Sequence, residues 1–204
     1  MWRASDDVTS VEPEPTANPR RWLTARVPTH VLLLAIVAIG LALRIGWAVT
    51  QVSVISADGT EYATMAEHLA QQRALIGVYE GPAIIYAPLY PILIAAVMPI
   101  VPNSELAAQI VSLGFGTALI AVIFLLAYRV YGRRTAVIGA TLVAVHPLLI
   151  ALSASVYNEA VYVTLWAVMA YLALRAIDLQ RRRDALMLGL CIGLLYLRDR
   201  KSVV

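Results

Sequence analysis

Four apolar runs, residues 31–49, 106–128, 135–152 and 156–174, restrict this chain to very few folds. Crossing the hydrocarbon core of a bilayer takes about 20 apolar residues as helix, and each run is close to that length or beyond it. A fifth, 185–197, is cut short where the chain stops. The rest of the chain agrees: 60% of its residues are hydrophobic and 14% charged, whereas a soluble domain is roughly 45–50% apolar. The expected fold class is therefore all-α, a polytopic transmembrane helical bundle. The net charge of +3 comes from arginines clustered between the runs, so it reports orientation in the bilayer and not nucleic-acid binding.

Organisation follows from what separates the runs. Residues 1–26 hold Asp6, Asp7, Glu12 and Glu14 among Pro13, Pro15 and Pro19, then Arg20, Arg21 and Arg26. That is too little apolar content to fold alone, and the expectation is a disordered cytoplasmic tail. It also precedes the first apolar run at too great a length for a signal peptide, so the first helix is expected to stay as an anchor. Residues 27–198 are expected to form one transmembrane domain. If 89–101 crossed the bilayer, Arg129, Arg133, Arg134, Arg175 and Arg181 to Arg183 would all lie outside, against the positive-inside rule. The stretch is short and ends in Pro99 and Pro102, so the expectation is a juxtamembrane or re-entrant helix on the outer side. Gly114, Gly116 and Gly139 are expected at close helix contacts.

Residues 199–204, DRKSVV, contain the only lysine, Lys201, and resemble one reading frame of a sequencing adapter. They are expected to be a non-native tail, with the natural sequence ending near Arg198 and the chain an incomplete, inactive fragment. The near-exclusive use of Arg over Lys, with abundant Ala and Val, suggests a bacterial cell membrane. Cys191 stands alone in an apolar run, so no disulfide framework exists and a small buried residue is expected.

Chemical variety is concentrated in residues 56–91. Asp58 and Glu61 fall on one face of an expected amphipathic helix that continues through Tyr62, Met65, Ala66 and Leu69. Two readings stay open for the pair. Asp58 caps the helix with Glu61 reaching back to the cap, or Asp58 is a general base or metal ligand with Glu61 orienting it. Glu159 opens a later helix, where the macrodipole favours a carboxylate. On the same side as Asp58, it is also a candidate to share a divalent cation or to bracket a polar substrate. Arg44, a charge within the first run, either snorkels to the interface or contacts a lipid-borne phosphate. Tyr79, Tyr86 and Tyr90 suit an interfacial belt or a sugar-stacking platform equally. His68 and His146 each lack a second ligand at zinc spacing.

An apolar helix, then Asp-x-x-Glu-Tyr-Ala heading an amphipathic helix, a Pro-Leu-Tyr-Pro stretch, a helix ending Tyr-Arg-Val-Tyr-Gly-Arg-Arg and an acidic residue opening a later helix form a combination. Together they resemble the membrane-embedded GT-C glycosyltransferases, in the protein O-mannosyltransferase and lipid A aminoarabinose transferase group. The resemblance spans residues 35–197. It implies transfer of a hexosyl or pentosyl unit, with inversion, from a polyprenyl-phosphate donor to a lipid, glycan or protein acceptor on the outer face. It maps the catalytic carboxylate onto Asp58 and the later acidic position onto Glu159, with Tyr62 and Tyr90 in the substrate region. Two departures stand out: Gly59 follows Asp58 where many relatives carry a second carboxylate, and Ala87 stands where some carry a phosphate-binding lysine. A transporter or flippase subunit and a non-catalytic membrane scaffold are the alternative readings. The runs carry almost no midplane charge, which disfavours a transporter.

Overall fold

The structure is a computed structural model that describes residues 28–50, 55–78 and 86–197. The 1–26 tail, Tyr79 and the 199–204 stretch lie outside the described residues. Within them every regular element is a helix: α1 Thr29–Thr50, α2 Ala57–Gln72, α3 Leu89–Val97, α4 Ser104–Tyr131, α5 Arg133–Val145, α6 Pro147–Ala154, α7 Glu159–Leu179 and α8 Arg182–Tyr196. The protein is all-α, as the apolar runs require.

Three of these helices, α1, α4 and α7, are long and apolar enough to cross a membrane. The run 135–152, expected as one straight span, is instead two helices meeting at 57°. The cause is Pro147, which lacks the N–H that would continue α5 and whose ring crowds the preceding turn. Counting the bent pair as one span gives four. At 15 residues, α8 is shorter than a crossing needs. The nine-residue α3 is roughly 14 Å long and likewise does not span.

Two apolar clusters hold the bundle together. One gathers Tyr62 and Ala66 of α2, Tyr90 and Ile94 of α3, Ala107, Ala108 and Val111 of α4, and Val161 of α7. It binds the amphipathic α2 to the Ser104 end of the spanning helices. The second joins Ile36, Ile120 and Phe124 to Ala136, Ala140 and Ala144, a small-residue row along α5 that lets α1 and α4 approach. At the far end of α4, Arg129 pairs with Asp178 of α7 at 2.8 Å. Beside it, Arg175 pairs with the buried Asp184 of α8 at 3.0 Å.

The glycines divide differently from the expectation. Gly116 is a true contact point, since a Cβ there would overlap the Ser153 side chain of α6. Gly114 faces open space, and Gly139 has room for a Cβ at ordinary contact distance from Ile123. Gly40 of α1, not singled out by the sequence, is another close contact, where a Cβ would overlap Ile120.

Candidate active site

The head of α2 is capped by Ser56, whose Oγ accepts from the Gly59 N–H at 3.1 Å. Asp58, expected as one possible cap, is thereby left for other partners. Its Oδ1 accepts from the Tyr86 hydroxyl at 2.9 Å. Glu61 does not reach back to the cap either. Its Oε2 accepts from the Val78 N–H at 3.1 Å, and its carboxylate occupies the space a side chain at Gly77 would need. His68 meets the Ile76 carbonyl at 2.9 Å through Nδ1. Glu61 and His68 therefore pin the returning 76–78 segment against α2, and the two carboxylates of the head serve different neighbours.

Tyrosines wall the Asp58 side. Tyr62 packs edge-to-face on Tyr86 and on Tyr90, with ring centroids 5.3 Å apart in both pairs, an arrangement the ring quadrupoles favour. The Tyr62 hydroxyl accepts from Asn158 Nδ2 at 2.7 Å. Tyr90 is buried, with its hydroxyl in reach of the Ala108 carbonyl at 3.1 Å and of Ser112 Oγ at 2.7 Å, donating to one or the other. Ser112 donates in turn to the Tyr157 carbonyl. Burial holds the Tyr90 phenol above its ordinary pKa, against the lowering effect of Ser112, so it stays a neutral donor. Tyr62 and Tyr90 are both buried, and they form the backing against which Tyr86 and Asn158 are held.

The head of α7 comes close to the head of α2: a Cβ on Gly59 would stand 2.9 Å from the Val156 carbonyl. Glu159, the first residue of α7, turns towards the bundle interior. It shares a narrow cavity of about 10 Å³ with Arg44, Gly116 and Ser153, a volume on the scale of one water molecule. Its Oε2 is buried with no hydrogen-bond partner among the described residues. Arg44 neither snorkels to an interface nor reaches a surface. It is fully buried and its guanidinium points back along α1 to the Gly40 carbonyl. No group of three or more His, Cys, Asp or Glu side chains at metal-binding spacing occurs among the described residues.

One position escaped the sequence reading: Asn158 carries no local signal beyond preceding a helix. Tyr86, read from the sequence as a belt or sugar-stacking aromatic, also serves as the donor to Asp58. Ring contacts and partners 96 and 28 residues away give them their places.

A family model described as dolichyl-phosphate-mannose-protein mannosyltransferase matches residues 85–202, more than half of the chain. The match takes in Tyr86, Tyr90, Asn158 and Glu159, while Arg44, Asp58, Glu61 and Tyr62 precede it. No curated protein and no solved structure matches the chain.

Proposed function

Because this chain belongs to the dolichyl-phosphate-mannose-protein mannosyltransferase family, a family of glycosyltransferases that use polyprenyl-phosphate sugar donors, we propose that Asp58 is its catalytic base. The reaction joins an acceptor hydroxyl on the outer face of the membrane to the donor sugar. The acceptor oxygen attacks the anomeric carbon, the bond from that carbon to the phosphate oxygen breaks, and the lipid phosphate leaves with the electron pair. Asp58 takes the hydroxyl proton as the attack proceeds. The configuration inverts, and the N-terminus lies in the cytoplasm.

The observation that supports this reading is the setting of Asp58. It is half-buried at the head of a helix beside a spanning bundle, freed from capping by Ser56 and steadied on one oxygen by Tyr86. A fixed donor on one oxygen holds the carboxylate in a defined orientation. Glu61 shapes the neighbouring 76–78 segment through Val78. A divalent cation, if used, would draw on Asp58 and Glu159, and no step above depends on one.

The test is Asp58→Asn in the full-length protein, assayed in membranes with a polyprenyl-phosphate donor carrying radiolabelled mannose. Loss of a positioned general base costs about 10²- to 10⁴-fold, so incorporation should fall by at least a hundredfold while the amount of inserted protein is unchanged. Incorporation within a few-fold of wild type would remove Asp58 from the chemistry.

A further inference from the structure

Arg44 is a buried cation in a helix that the family reading does not use, and its surroundings are unusual. In a continuous helix the Val143 carbonyl would accept from the N–H of residue 147, but that residue is proline and has none. The bend at His146 and Pro147 likewise takes the Ala144 carbonyl away from Leu148. Among the described residues no backbone N–H bonds to either carbonyl across the break. A helix end left open in this way within a membrane bundle, with Ala144 buried, needs donors from elsewhere.

Arg44 supplies them. Its Nη2 donates to the Val143 carbonyl at 3.3 Å and its Nη1 to the Ala144 carbonyl at 3.2 Å. The same guanidinium donates from Nε to Ser153 Oγ at 3.0 Å, on the far side of the bend, and from Nη1 to Gly40 at 2.9 Å. One planar cation therefore bonds the end of α5, the body of α6 and its own helix. Two glycines make the room. A Cβ on Gly40 would crowd Nη1, and one on Gly116 would overlap Ser153. Gly116 lies near the midpoint of the 28-residue α4, so the knot sits at mid-depth in the bundle.

From this geometry we propose that Arg44 is a positioning residue: it replaces the backbone donors that Pro147 removes and so sets the α5–α6 bend that delivers the head of α7. The C-terminal end of α6 is followed at once by Val156, which abuts Gly59 of α2, and then by Asn158, which holds Tyr62. Displacing α6 therefore displaces the partner of the tyrosine wall. Arg suits the task because its rigid fork presents five donors in one plane.

The test is a double-mutant cycle on the purified full chain, read as reversible unfolding in mixed micelles. Arg44→Met removes the donors, and Pro147→Ala restores one backbone N–H. The expected result is that Arg44→Met reduces the folding equilibrium constant at least fivefold less when Pro147→Ala is present. Equal loss in the two backgrounds would overturn the proposal. If Arg44→Met alone fails to accumulate in membranes, the same cycle is read as accumulation, and no rescue by Pro147→Ala overturns it equally. Positioning is read separately from stability, by spin–spin distances between nitroxides placed at the exposed Thr60 and Val163. The distribution should broaden in Arg44→Met and remain narrow in wild type, and an unchanged distribution would reduce Arg44 to a packing role. Neither readout involves sugar transfer, so failure here leaves the Asp58 reading standing, and the reverse holds as well.

Discussion

Tyr86 donates its hydroxyl proton to Asp58 Oδ1 across 2.9 Å, joining the entry to α3 with the head of α2. The bond fixes the orientation of the candidate base. It also explains why an aromatic run next to two prolines is folded against α2: Tyr62 packs edge-to-face with the Tyr86 ring while the Tyr86 hydroxyl reaches the carboxylate.

Tyr86→Phe keeps the ring contact and deletes only the hydrogen bond. A bond to a charged group is worth about 1.5–3 kcal/mol, and about 1.4 kcal/mol is tenfold in rate. Sugar transfer is expected to fall about tenfold or more. Initial rates with the labelled donor check this, and an undiminished rate would show that Tyr86 does not hold Asp58 for the reaction.

Glu61 separates shape from charge. Glu61→Gln preserves an acceptor for the Val78 N–H, so transfer is expected to stay within about fivefold of wild type, since neutral hydrogen bonds differ from charged ones by only about 1 kcal/mol. Glu61→Ala leaves that N–H without its acceptor and should increase hydrogen exchange at Val78. If the glutamine variant were as inactive as Asp58→Asn, Glu61 would belong to the chemistry.

Gly116 and Gly114 lie two residues apart on α4 and should respond oppositely. Gly116→Ala drives a methyl into Ser153, and overpacking of this kind costs about 1–3 kcal/mol. Gly114→Ala meets open space and should be neutral or stabilising by up to about 1 kcal/mol through helix propensity. Unfolding in mixed micelles measures both, and equal costs would remove Gly116 as the contact that seats α6 on α4.

Much of the fold was legible in the sequence because hydropathy and helical period are local quantities. The lengths of the apolar runs announced α1, α4 and α7, and the spacing through Tyr62, Met65 and Ala66 announced the buried face of α2. The short run ending in Pro99 announced a helix too short to cross. Pro147 was equally visible, yet the continuous apolar run around it suggested one span. The proline's effect on its neighbours is what bent that span by 57°.

The candidate site was legible only in part. Asp58 stands at a helix head, as its spacing implied, but Ser56 takes the cap because its side chain lies one turn before the Gly59 N–H. The sequence by itself determined the membrane helices, the amphipathic α2 and which residues were able to carry charge. Tertiary structure alone decided that Arg44 bonds carbonyls about 100 residues away, that Glu61 serves Val78, and that Asn158 holds Tyr62. Each of those bonds depends on the depth and rotation of one helix against another. Helix rotation and depth are set by the summed packing of small residues such as Gly40, Gly116 and Ala144 across several elements, and no local pattern records that sum.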